Sequence, residues 1–95
     1  MIMQTYAILR RSGFRSADDL KAAAERSTKV GNEDMPIDVR WIRSYVLAEG
    51  GSTLGTVCIY QATSPEAIRL HGTRAELPVD EIVPVVDTVV VRPDP

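Results

Sequence analysis

Apolar and polar positions alternate along this chain in two distinct periods. Thr5–Arg10 (TYAILR) is a short run of β-formers, broken by Ser-Gly-Phe-Arg, and predicts a strand. Ser16-Ala17-Asp18-Asp19 follows, an N-cap serine with an acid three residues on. It predicts a helix over Ala17–Val30, with a weak apolar face of Leu20, Ala23, Ala24 and Val30 and a stop at Gly31-Asn32. Met35-Pro36-Ile37 is an extended connector. Val39–Leu47 (VRWIRSYVL) and Thr56–Gln61 (TVCIYQ) flank the turn residues Glu49-Gly50-Gly51-Ser52 and predict a hairpin. Ser64-Pro65-Glu66 opens a second helix running to about Ala75, ended by Leu77-Pro78. Ile82–Val91 (IVPVVDTVVV) predicts a last strand.

The order β-α-β-β-α-β predicts an α+β, ferredoxin-like domain: a four-stranded antiparallel sheet with two helices on one face. The expected division of a single domain 1–95 is strand 1 and its loop at 3–15, helix 1 at 16–31, the hairpin at 38–61, helix 2 at 64–76 and strand 4 at 82–92. In this topology the last strand is an edge beside the first, where Pro84 is tolerated because its missing N–H faces outward.

Strand residues alternate faces. The aliphatic sets Ala7/Leu9, Ile42/Val46 and Val57/Ile59 are expected beneath the helices. The alternate sets carry Tyr6, Trp41, Tyr45, Cys58 and Tyr60, expected together on the helix-free face as a ligand pocket or dimer surface. Large exposed apolar patches are rare on monomers, so a second copy of the chain is expected to cover them. The valine-rich Val85–Val91 run is a second pointer to self-association, because a naked β-prone edge is an aggregation hazard.

Composition narrows the class. The 95 residues are 44% hydrophobic and 25% charged, which excludes disorder as the default. A formal charge of −2 argues against nucleic acid as a partner. One cysteine permits no intrachain disulfide and suits a reducing, cytoplasmic compartment. Met1–Leu9 lacks the basic start of a signal peptide, and no apolar run approaches the roughly 20 residues of a membrane span, so no membrane association is expected.

Few residues carry candidate chemistry. His71, the one histidine, falls on or beside the inward face of the second helix, where a hydrogen-bonded structural role competes with a metal-ligand role. One Cys and one His make no zinc cluster. A site built on His71 needs carboxylates, waters or a second chain, and imidazole with oxygen ligands suits nickel, copper or zinc. Cys58 lies mid-strand without sequence-adjacent basic residues, and alternation places it away from His71. Asp80 and Glu81 follow the second helix as a solvated loop within reach of its end. Gly50-Gly51-Ser52-Thr53 lacks phosphate-loop spacing. Arg10, Arg11 and Arg15 form a small basic cluster, offset by Asp18 and Asp19 and expected at the surface.

Four blocks together resemble a small bacterial family of unknown function that is labelled nickel-binding: WIRSYV (Trp41–Val46), CIYQA (Cys58–Ala62), SPEAIRLH (Ser64–His71) and LPVDEI (Leu77–Ile82). The resemblance covers most of the chain. Trp41, Tyr45, Cys58, Tyr60, Glu66, His71, Pro78 and Asp80 fall on matching positions. It implies a ferredoxin-like homodimer with a transition-metal role, nickel or another divalent ion, and no established reaction. The chain departs from the pattern at Gln61, in place of an acid, at Thr63, in place of proline, and at Glu76, in place of the glycine before Leu-Pro. The change at Gln61 removes an anionic oxygen that a divalent ion favours. The leading expectation is therefore a dimeric protein that binds a metal ion or small ligand and has no established enzymatic role. One alternative is an enzyme acting on a small apolar molecule in a cavity lined by Tyr45, Cys58 and Tyr60 between the sheets of a dimeric barrel. The other is a structural or regulatory interaction module.

Overall fold

Serine caps set both helices where the pattern puts them. The Ser16 hydroxyl accepts the Asp19 N–H at 3.2 Å and starts α1 (Ala17–Lys29); the Ser64 hydroxyl accepts the Ala67 N–H at 3.1 Å and starts α2 (Pro65–Arg74). Around them the computed structural model, which describes residues 2–94, places β1 (Gln4–Phe14), β2 (Val39–Ala48), β3 (Leu54–Ala62) and β4 (Glu81–Pro84). The strands pair antiparallel in the order β2-β3-β1-β4. This is the split βαβ arrangement, with β3 inserted between β1 and β2 and β4 on the edge.

Strand pairing fixes which side chains share a face. One face carries three rungs: Trp41–Tyr60–Tyr6, Ser44–Cys58–Ile8 and Val46–Thr56–Arg10. Both helices pack on this side, since Ser27 of α1 and His71 of α2 meet the Tyr60 ring there. Tyr6, Ile8, Cys58, Tyr60 and Ala62 form the core with Ile68, Val30, Met35, Val39 and Ala75. The other face carries Ala7, Leu9, Val57, Ile59, Arg43 and Tyr45.

The expected assignment of faces is thus inverted for β1, β3 and Trp41 but holds for Val46 and Tyr45, for two physical reasons. α1 turns the small residues Ala23 and Ser27 toward the sheet, which leaves depth for rings and gives the Tyr60 hydroxyl a partner. Second, β2 contains a bulge: Trp41 pairs with Tyr60 and Arg43 with Ile59, leaving Ile42 extra. The extra residue reverses the alternation beyond it, so Tyr45 lies on the face opposite Trp41.

β4 is shorter than the Ile82–Val91 strand the composition predicts. Pro84 lies opposite Tyr6, and the Val85 N–H makes one more bond, to the Thr5 carbonyl at 2.9 Å. β1 begins at Gln4, so the valines beyond have almost no strand left to pair with. The tail instead runs past the open face, where Asp94 accepts a hydrogen bond from the Tyr45 hydroxyl at 2.9 Å and pairs with Arg43 at 2.7 Å.

Two loops are tied down by specific contacts. β1 carries a register shift between Arg10 and Phe14, and the Arg11 guanidinium there grips Glu49 through both carboxylate oxygens, at 2.9 and 3.1 Å. That pairing, with the Ser12 N–H, holds the Glu49 carboxyl below its usual range. α2 ends on Glu76, whose φ of 57° is left-handed, while the Leu77 N–H reaches back to the Gly72 carbonyl at 2.8 Å.

Candidate functional site

Tyr60 is the hub of the space between sheet and helices. It is 1% exposed. Trp41 stacks beside it, ring centroids 6.2 Å apart and planes 14° from parallel. His71 meets it edge-on at 5.4 Å. The Arg10 guanidinium carbon lies 5.8 Å from its ring centre, and its hydroxyl lies 2.8 Å from the Ser27 hydroxyl. Burial pushes the Tyr60 phenol up, so it stays protonated and acts as a hydrogen-bonding group.

His71 is held by the same serine. Its Nε2 lies 3.1 Å from the Ser27 carbonyl oxygen. A carbonyl only accepts, so Nε2 carries the proton and Nδ1 bears the lone pair. Nδ1 is buried and has no hydrogen-bond partner. Burial pushes the imidazole pKa down, which keeps the ring neutral at neutral pH. A neutral ring fixed in one tautomer by a backbone carbonyl is how proteins prepare a histidine for a metal. The surrounding cavity, about 130 Å³, is lined by Ser27, Asn32, Trp41, Tyr60 and His71 among others.

The described residues do not supply the rest of a metal site. Among the described residues, no group of three or more His, Cys, Asp and Glu side chains is placed to hold an ion. Cys58, expected on the face away from His71, shares the helix side of the sheet with it, but lines a different cavity, and its thiol donates to the Thr56 hydroxyl at 3.3 Å. Asp80 is engaged by the Arg11 backbone N–H, and Glu66 is exposed. The one uncommitted donor on His71 is thus Nδ1, itself buried.

Of the five residues expected to form one pocket or dimer face, Trp41, Cys58 and Tyr60 do line a common cavity, of about 270 Å³, but it lies beneath the helices. Tyr6 is buried on the same side. Tyr45, 41% exposed, stands on the opposite face, so a cavity lined by Tyr45, Cys58 and Tyr60 together does not form.

One functional candidate was hidden in the sequence by its company. Arg10, expected at the surface with Arg11 and Arg15, is 1% exposed. Its Nε and both Nη atoms are buried without hydrogen-bond partners. The signal for this was the alternation Tyr6, Ile8, Arg10, which puts all three on one face.

Residues 6–85 match the model of a protein family described as nickel responsive protein SCO4226-like. The chain belongs to this family. The match agrees with the resemblance carried by the hairpin and second-helix motifs. The crystal structure of SCO4226 from Streptomyces coelicolor A3(2) superposes with a TM-score of 0.69, covering 90% of this chain and 99% of the other at 21% identity. At that identity the likeness establishes the shared fold. No curated protein sequence matches. Among the described residues no helix is long and apolar enough to cross a membrane.

Proposed function

We propose that this member of the nickel responsive family is a dimeric binding protein that takes up a divalent transition ion through His71. The observation that carries the reading is the tautomer: Nε2–H is committed to the Ser27 carbonyl, and a bare Nδ1 is left in a neutral, buried ring. Nickel is the ion the family's name indicates. One imidazole with oxygen donors suits it, and the remaining donors come from water.

Self-association is supported by apolar surface that one chain leaves open. Val86, Val89, Val90 and Val91 are all largely exposed, beside a sheet face of Leu9, Val57, Ile59 and Tyr45. A second copy laid on that face covers the valine run and removes a β-prone hazard.

Titration calorimetry with nickel, copper and zinc chlorides tests the metal reading. Native protein is expected to bind nickel saturably and His71→Gln to lose that binding while keeping its far-ultraviolet dichroism. No heat with native protein, or equal affinity in the variant, removes His71 as a ligand. Light scattering at micromolar concentration tests the dimer. Twice the 10.4 kDa of one chain is expected for the full protein, and a smaller mass after deletion of residues 86–95. A 10.4 kDa species for the full chain rejects it.

A further inference from the structure

Arg10 presents a problem that its own protomer does not solve. A guanidinium keeps its charge in proteins and offers five N–H donors. Here all three nitrogens are buried and none has a hydrogen-bond partner. The Tyr60 ring, 5.8 Å away, gives the charge only a partial π contact. Breaking or omitting the partner of a buried charge is strongly destabilising, so such groups are normally paired.

The cavity beside Arg10 supplies the rest of a binding site. It measures about 270 Å³ and is mostly apolar, with Phe14 and Val46 among its walls. That is near the lower end of the roughly 300–1,000 Å³ typical of small-molecule pockets. Two hydroxyls on the wall have protons to give. Ser44 accepts from the Trp41 indole N–H at 2.8 Å, and Thr56 accepts from the Cys58 thiol at 3.3 Å. Each uses an acceptor lone pair in those bonds, so its own O–H is left to donate. Trp41, 39% exposed, forms part of the wall and also reaches solvent.

The geometry points to a binding site for a small monocarboxylate with an apolar body, its carboxylate on Arg10 and its hydrocarbon part against Phe14, Val46 and Trp41. The planar fork of a guanidinium matches the two oxygens of a carboxylate. One fixed positive charge balances one negative charge. A dianionic phosphate leaves a charge uncompensated in an apolar pocket, and a polar, many-hydroxyl ligand leaves its groups without partners. The site uses Arg10 where the metal reading uses His71, and the two cavities share Ser27, Trp41 and Tyr60 as walls.

The test uses the full chain and its one tryptophan, Trp41, which forms part of the pocket. Benzoate and hexanoate are titrated at constant ionic strength, with benzamide and phenyl phosphate as the neutral and phosphate counterparts. Trp41 fluorescence and the thermal midpoint are the readouts. A carboxylate is expected to change the emission saturably and raise the midpoint, binding at least about tenfold more tightly than benzamide. Arg10→Met, similar in length and uncharged, is expected to lose the same factor. Absence of saturable binding by either carboxylate, or undiminished binding in Arg10→Met, overturns the assignment. Tighter binding of phenyl phosphate than of benzoate overturns the carboxylate in favour of phosphate. If Arg10→Met does not fold, the midpoint shift of native protein by benzoate against benzamide still decides. Because no metal is present in any arm, failure here leaves the nickel titration to stand or fall by itself.

Discussion

The Tyr60 hydroxyl lies 2.8 Å from the Ser27 hydroxyl, both buried, where β3, α1 and α2 meet. Ser27 thereby satisfies the phenol with its side chain and His71 with its backbone carbonyl. Two polar rings are held under a helix by one residue, which separates their roles experimentally.

Ser27→Ala removes the hydroxyl and keeps the carbonyl. The Tyr60 phenol is left without that partner, and the expected loss of stability is about 1–3 kcal/mol. In Tyr60→Phe the same serine substitution is expected to be nearly neutral, since no phenol remains to be stranded. Urea denaturation of the four proteins in this double-mutant cycle measures the coupling.

The pH dependence follows from His71. Its folded pKa is depressed below the ordinary 6.5, first by burial and also by the nearby Arg10 charge, against a hydrogen bond to Ser27 that raises it. Below pH 6.5 the unfolded chain therefore carries more protons than the folded one. Stability from this group is fully present above the unfolded pKa and is lost as pH falls through the folded one. Denaturation midpoints are expected to decline from pH 7 toward pH 5. His71→Gln, which does not titrate, should flatten that slope.

Glu76 occupies a left-handed position at the end of α2, with φ of 57°. Its ion pair with Arg26, 3.8 Å and exposed, contributes little. Glu76→Gly is expected to raise stability by about 0.5–1 kcal/mol, the relief of strain exceeding the added unfolded-chain entropy. An unchanged or lowered melting midpoint would show that Glu76 has another role.

The same position shows how much the sequence could tell. The family pattern carries glycine where this chain has Glu76, and the left-handed φ is the physical reason for that preference. Element order, both serine caps and the edge position of Pro84 were legible, because each rests on local chemistry: capping hydroxyls, turn residues, a missing N–H. The choice of sheet face was not. Both faces carry compact apolar sets, and the decision was made by the small residues of α1, which only tertiary packing brings into play. Arg10 was misplaced for a related reason: charge clustering with Arg11 and Arg15 suggested the surface, while its strand parity with Tyr6 and Ile8 gave the burial. His71 was legible as an inward-facing ring, but its tautomer depends on a carbonyl 44 residues away in sequence.

The unpaired Ile42 in β2 has a reach well beyond its own position. Strand parity is binary, so one residue looped out of the ladder acts on every side chain downstream of it as a sign change. Paired without the bulge, the same residues would alternate regularly from Trp41, bring Tyr45 beneath the helices and turn Ser44 out to the face now holding Leu9 and Ile59. A relative one residue shorter between the tryptophan and the tyrosine of this strand keeps these faces with no bulge, whereas one of equal length that pairs regularly would wall the Arg10 chamber with an aromatic ring in place of a hydroxyl, and select a different guest without any change in fold.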